Sequence, residues 1–376
     1  MPDVLIVGVS TRPAADSAAR AGFAVTALDA FGDLDQSPGV RALSMPRDFG
    51  APFSASSAAR AAETLRCDAV AYLSNFENHP RAVHTLARGR SLWGNAPGVL
   101  KRVRNPWLLE AALERRGVPV PRVASRATGV ATHLLKPRRS GGGHGIREWT
   151  PGTPIPSGYY LQERIDGVPG SITFVAAGGH TVPLGLTRQI VGDSEFGASG
   201  CRYCGNILLR ADDPLFARAT RLSQIVAEEF ELLGANGIDF IAHDGTPYPV
   251  EVNPRYSASL ELVERAYGVS VFAAHAAACT SGDLPSFELA RASRHMPATG
   301  KAIVFARHDV VCGDTRAWLV DPTVRDVPHP LERIPAGHPV CTVFADGADA
   351  ASCYDALVRR ASAVYAALES WAAATV

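Results

Sequence analysis

The stretch Tyr248-Pro249-Val250-Glu251-Val252-Asn253-Pro254-Arg255, preceded by the apolar run Gly237-Ile238-Asp239-Phe240-Ile241-Ala242, decides how this chain is read. Glu251 and Asn253 are two apart, so in a strand their side chains leave one face of the sheet while Val250 and Val252 leave the other. Between the two runs stands His243-Asp244-Gly245-Thr246, and an Asp-Gly pair between apolar strands predicts a tight hairpin. Antiparallel pairing then brings Asp239 beside Glu251. Oxygen ligands gathered on one face suit a hard cation such as Mg²⁺, which is usually held by one or two carboxylates plus nucleotide phosphates. An arbitrary acidic pair in a strand is more often a solvated surface pair. What separates this pair is the company it keeps.

About a hundred residues upstream, His133-Leu134-Leu135-Lys136-Pro137-Arg138-Arg139 runs into Ser140-Gly141-Gly142-Gly143-His144-Gly145-Ile146. An apolar strand delivers Lys136, and the glycines that follow can bring backbone N–H groups close to phosphate oxygens with no Cβ in the way. The lysine precedes the glycines and no Gly-Lys-Ser/Thr follows, so this is not a Walker loop. Next comes Tyr159-Tyr160-Leu161-Gln162-Glu163-Arg164-Ile165-Asp166-Gly167, a β-rich run ending in a turn. Its backbone can face a purine edge while Ile165 packs on the ring.

Taken in order, the strand lysine, the glycine loop, the Gln-Glu-x-Ile-x-Gly run and the Asp…Glu-x-Asn-Pro-Arg hairpin resemble the ATP-grasp superfamily of ligases, in the branch of carboxylate–amine ligases and biotin carboxylase-like proteins. The resemblance covers roughly residues 100 to 270. It implies ATP held with Mg²⁺, or Mn²⁺ in its place, between two α+β lobes, and acyl-phosphate chemistry on small-molecule carboxylate and amine substrates. Carried over position by position, Lys136 corresponds to the lysine that contacts nucleotide phosphate and base. Ser140, Gly141, Gly142, Gly143 and Gly145 correspond to the phosphate flap, and Gln162, Glu163 and Ile165 to the adenine hinge. Asp239, Glu251 and Asn253 match the metal ligands, and Arg255 the cation beside the transferred phosphoryl group, so Arg255 and Lys136 are the expected catalytic cations. A further family cation falls on Lys101 or Arg104, with Arg104 closer in spacing. Where many relatives carry a ribose-binding carboxylate, this chain has Gly167-Val168-Pro169-Gly170-Ser171, which leaves the ribose partner unassigned.

The 376 residues hold 37 Lys+Arg against 37 Asp+Glu, a balance that offers no basic excess for nucleic acid or membrane. No apolar stretch reaches the roughly 18–20 residues that span a bilayer. The N-terminus enters a strand without a basic leader, so a cytoplasmic location is expected. Seven cysteines are read as free thiols. Cys201 and Cys204, which lack partner ligands at metal spacing, are read as structural or pocket-lining thiols.

The expected fold is α/β and α+β: an ATP-grasp fold with an N-terminal Rossmann-like unit over residues 1–100, nucleotide-binding and catalytic lobes over 101–296, and a small β-rich unit with a terminal helix over 297–376. Strands at Val4–Val9 and Phe23–Asp29 flank an alanine-rich helix from Ala14 to Ala21, but Gly8-Val9-Ser10-Thr11-Arg12 lacks the three-glycine dinucleotide pattern. Asp29 is therefore read as a cap or a solvated acid. Asn75 and Glu77 follow the strand Cys67–Leu73, placed either to touch the acceptor or to form a capped turn. Asn105-Pro106 opens a helix closed by Gly117. A second helix runs from Asp213-Pro214 to Gly234 with a core-facing stripe. One of Arg188 and Arg202 is a candidate for a substrate carboxylate. The strands Ala302–Ala306 and Val340–Ala345, with turns at Asp326–Pro328 and Gly337–Pro339, resemble the tail of biotin carboxylase-like proteins, and that likeness is compatible with a homodimer. Two other activities stay open: bicarbonate activation, and a nucleotide-binding regulator without chemistry.

Overall fold

The computed structural model describes residues 2–126, 132–294 and 296–374. Its N-terminal unit is a parallel sheet built from β1 (Asp3–Val7), β2 (Ala24–Asp29), β3 (Val40–Ser44), β4 (Ala69–Tyr72) and β5 (Ser91–Trp93), in the order β3-β2-β1-β4-β5. Val4 to Val7 are fully buried because helices cover both faces, as a parallel sheet requires. The first helix spans Arg12–Arg20, beginning two residues before the sequence predicts because Pro13 sits in its first turn. Asp29 is buried, not solvated. It accepts the Thr11 N–H at 3.0 Å and the Thr11 hydroxyl at 2.7 Å, and so ties down the loop after β1.

A small sheet follows, made of β6 (Val123–Ala124), β7 (His133–Pro137), β8 (Arg147–Glu148) and β9 (Tyr159–Glu163) in the order β6-β9-β7-β8. The large sheet contains β10 (Val168–Ala177), β11 (His180–Val191), β12 (Tyr203–Leu209), β13 (Gly234–His243) and β14 (Thr246–Asn253). It is continued through β15 (Ala298–Phe305), β19 (Pro339–Gly347) and β17 (Val324–Arg325), while β16 (Val310–Val311) and β18 (Arg333–Ile334) form a separate ribbon. Asn206 of β12 pairs with Lys301 of β15, so the eight strands run unbroken from β14 to β17. The helix Leu215–Phe230 buries Ala219, Leu222, Val226 and Phe230 against Ile172, Phe174 and Leu186. It stops short of Gly234 because Glu231 turns left-handed at φ 56°. Among the described residues no helix is long and apolar enough to cross a membrane.

Three buried polar fastenings hold the N-terminal unit to the large sheet. Asn95 donates to Asn236 Oδ1 at 2.8 Å and to the Pro254 carbonyl at 3.1 Å, and accepts the Leu233 N–H at 2.9 Å. Arg12, 2% exposed, reaches Glu261 at 2.6 Å, Asp326 at 2.7 Å and Asp35 at 3.6 Å, while Lys301 holds the other Glu261 oxygen at 2.9 Å. Burial would raise the Glu261 carboxyl, but Arg12 and Lys301 overcome it and hold the group down at about 2. Removing one partner from such a knot strands a buried charge, which costs more than the knot itself contributes. The third fastening is His275, on the helix Val271–Thr280.

His275 Nδ1 accepts the Ala235 N–H at 2.9 Å, which leaves the proton on Nε2, 3.3 Å from the Trp93 carbonyl. Burial pushes its value from 6.5 down to about 4. The unfolded chain therefore binds a proton that the folded chain refuses between these values. The stabilisation is complete above pH 6.5 and is lost as pH falls through 4, amounting to about 3 kcal/mol at most. Urea denaturation at stepped pH is expected to show this decline in the wild-type protein and a flatter profile across the same window in His275→Gln.

Candidate active site

The hairpin forms with Asp239 beside Glu251, and a β-bulge between Asp239 and Phe240 shifts its register by one residue from the alignment that the turn sets. Asp239 pairs with Glu251, Ile238 with Val252 and Gly237 with Asn253. Its turn has positive φ at both central residues, 46° at Asp244 and 68° at Gly245, which is the turn that suits two-residue connections. Asp239 Oδ2 accepts from the Asn253 amide and Oδ1 from the Gln189 amide, each at 2.9 Å. Burial first, and the neighbouring Glu251 charge second, push Asp239 up to about 6 against those hydrogen bonds. Glu251 stays below its ordinary value, because Arg104 and Lys136 outweigh its burial.

Two carboxylates and an amide oxygen, crowded by strand register, with the Glu251 charge adding to burial in raising Asp239, form a donor set that a hard divalent cation relieves, so the residues present fit Mg²⁺. Among the described residues no group of three or more His, Cys, Asp or Glu is arranged to hold a metal ion. The third donor here is Asn253, and further ligands would come from phosphate.

Cations surround this set. Of the two candidates left open by the sequence, Arg104 is the one at the site: it bonds Glu251, the Val252 carbonyl at 2.9 Å, Asn78 Oδ1 at 3.0 Å and the Ser140 carbonyl at 3.3 Å, whereas Lys101 is exposed. Lys136 is buried, with Nζ 2.9 Å from Gln162 Oε1 and 3.3 Å from the Val250 carbonyl. Arg255 donates to Asn253 Oδ1 at 3.1 Å and sets both Nε and Nη2 3.0 Å from Glu77 Oε1. Glu77 is thus buried beneath Arg255, and its Oε2 and Asn75 Oδ1 are buried without a partner.

Lys136, Tyr160, Gln162, Val103, Leu109, Val250 and Val252 line a narrow cleft of about 30 Å³ between the small and large sheets. Arg104 and Glu251 meet within this lining. Glu163 and Ile165 stand outside this lining. The Glu163 carboxylate accepts the Arg122 N–H at 3.0 Å, and its own N–H goes to the Arg122 carbonyl.

The glycine loop is folded onto the segment before β12. Gly142 and Gly143 have φ 61° and 76°, and the Gly142 carbonyl accepts the Tyr203 N–H at 3.1 Å. A Cβ on Gly143 would stand 1.7 Å from the Cys201 carbonyl oxygen, so only glycine fits. Cys201 thus borders the loop, while Cys204 is buried with its thiol on the Ile190 carbonyl; all seven cysteines are free. Strand alternation puts Arg188 on the face opposite Thr187 and Gln189, exposed and away from Asp239 and Glu251. The sequence reading missed the polar floor of Gln189, Asn206 and Lys301, which cross-strand register places in one row. Its only sequence signal is the polar alternation of Thr187 and Gln189.

Residues 103–259 match the ATP-grasp domain family. The chain carries an ATP-grasp domain. Its whole length takes the ATP-grasp fold: it is similar to the L-amino acid ligase of Bacillus licheniformis at 14% identity, with 96% of this chain and 97% of that one aligned and a TM-score of 0.67. It is also similar to pyruvate carboxylase of Rhizobium etli at 14% identity and TM-score 0.72, over 96% of this chain and 37% of that one. An uncharacterized protein of Methanocaldococcus jannaschii is 28% identical over 120 residues, 32% of this chain and 28% of that relative. The chain thus spans well under half the length of the curated relative and of the pyruvate carboxylase. Identities this low show the fold.

Docking of the ATP-grasp glycine loop is expected to fail in Gly143→Ala. Hydrogen exchange should show the Tyr203 amide losing its protection. Gly141→Ala, where nothing lies within 4 Å of the new Cβ, should leave it unchanged.

Proposed function

We propose that this protein is an ATP-dependent ligase that activates a small-molecule carboxylate as an acyl phosphate and joins it to an amine, releasing ADP and phosphate. The observation that carries this reading is the pairing of Asp239 with Glu251 across the hairpin, beside Asn253, Arg255 and Lys136. A carboxylate that attacks a triphosphate must approach a concentration of negative charge, so the residues around it have to be cationic and preset. Mg²⁺, or Mn²⁺ in its place, would be held by Asp239, Glu251 and Asn253 and would neutralise charge on the phosphates.

Lys136, already desolvated against Gln162, places one positive charge toward the nucleotide. Arg255 places another beside the metal ligands, and Glu77 fixes the plane of its guanidinium. Arg104 neutralises Glu251 here, and it is positioned to exchange that carboxylate for phosphate oxygens when the cleft opens. Gln162, Glu163 and Ile165 would form the adenine side. Ser140 to Gly145 would close over the phosphates and shield an acyl phosphate from water. An amine then displaces the phosphate, its nitrogen forming the amide bond as the C–O bond to phosphate breaks.

The decisive assay is ADP release screened over acid and amine pairs, with and without bicarbonate, with hydroxylamine present to trap an acyl phosphate as its hydroxamate. A hydroxamate from an organic acid supports the ligase. Turnover that needs bicarbonate supports a carboxylase instead. Glu251→Gln and Lys136→Ala should each lower ADP release by about 10³-fold, the scale of losing one preorganised electrostatic contact, with the melting transition retained. Unchanged turnover in either variant would overturn the assignment.

A further inference from the structure

Against the glycine loop lies a second cavity, about 650 Å³ in volume, which is room for a metabolite-sized group, and it shares no lining residue with the cleft at Lys136. Its walls are the flap residues 143–146, Ser194, residues 197–202, and Ala306, Arg307 and Gly337. The charged side chains in this lining are Arg202 and Arg307, with His144 and Cys201 as further titratable groups, and no carboxylate is among them. That is unusual for this protein, in which most site cations are already paired with an acid.

Neither Arg202 nor Arg307 has an ion-pair partner among the described residues. Arg202 stacks 4.9 Å from the Phe305 ring centre and donates to the Gly337 carbonyl. Arg307 stacks 3.8 Å from the Tyr365 ring centre and donates to the Ser194 carbonyl at 3.3 Å. Stacking fixes each guanidinium plane while leaving its charge uncompensated, the arrangement that suits a planar, bidentate anion. Glycines at 143, 145, 197, 200 and 337 keep side chains out of the space between them. The next residue after Arg202 is Tyr203, whose N–H holds the Gly142 carbonyl, so filling the cavity and docking the flap involve one short segment.

We propose that this cavity is the subsite for an anionic group, a carboxylate or a phosphate, on the part of the substrate remote from the reacting centre, with Arg202 and Arg307 as its specificity-determining residues. This assignment rests on the ligase reading above for its meaning as a substrate subsite. It makes the substrate an acidic metabolite, and it predicts discrimination by charge.

The test is calorimetric titration, in the presence of MgADP, of two matched pairs of probes: succinate against succinamide, and glycerol 3-phosphate against glycerol. The anionic member of at least one pair is expected to bind about tenfold or more tightly than its neutral counterpart, the worth of one charge-assisted contact. Which pair discriminates tells carboxylate from phosphate. Arg307→Gln, an exposed position whose loss the fold tolerates, and Arg202→Gln should each erase the preference while MgADP affinity stays within about twofold. Equal binding of charged and neutral members, or a preference that survives both substitutions, overturns the proposal. So does a variant that loses MgADP affinity, because the arginines would then serve the nucleotide. Absence of ADP release with every acid–amine pair would overturn the ligase reading while leaving the binding result intact, so the two failures are distinguishable.

Discussion

Two carboxylates that repel one another are held side by side by strand register. The Asp-Gly turn sets His243 against Thr246 and Phe240 against Pro249, and a β-bulge between Asp239 and Phe240 then shifts the alignment by one residue, so that Asp239 faces Glu251 and not Val250. Burial first and that enforced closeness second raise Asp239 to about 6, and Arg104, Lys136 and Arg255 gather around the pair. The surrounding cations, the buried Glu77 beneath Arg255 and the flap base at Ser140 are all arranged about this one concentration of negative charge.

The N-terminal unit serves the same end. Asn78, in the loop after β4, donates to the Ser140 carbonyl and accepts from Arg104, so the start of the glycine loop and a cation bound to Glu251 are both gripped from outside the ATP-grasp segment. Asn95 does likewise for Pro254, next to Arg255. The buried knot of Arg12, Glu261, Lys301 and Asp326 then fixes the N-terminal unit against the strand that ends the polar floor. The geometry of the hairpin's end thus depends on contacts 150 and more residues away.

Much of this was legible in the sequence because it is local. Period-two alternation places Glu251 and Asn253 on one face, an Asp-Gly turn brings the strand of Asp239 alongside, and a run of glycines after a strand lysine suffices to mark the flap; the β-bulge that sets Asp239 against Glu251 is not implied by the turn. The burial of Glu77 under Arg255 was not legible, since those residues lie 178 positions apart and nothing near either announces the other. Lys301 looked like part of a tail and stands instead in the sheet, paired across β12 by hydrogen bonds that no short-range pattern encodes. The same holds for Arg188. A strand arginine reads alike on either face, and the face was decided by the pairing of β11 with β10. Asp29 was half legible: its place at a strand end marked it as a cap, but its complete burial came from the loop that folds over it.

The most direct test of the central claim is a crystal structure of the protein with Mg²⁺ and a non-hydrolysable ATP analogue. The cation is expected about 2.1 Å from oxygens of Asp239, Glu251 or Asn253 and of the terminal phosphates, with Arg104 released from Glu251. A nucleotide bound with its cation coordinated elsewhere, and the Arg104–Glu251 pair intact, would contradict the account.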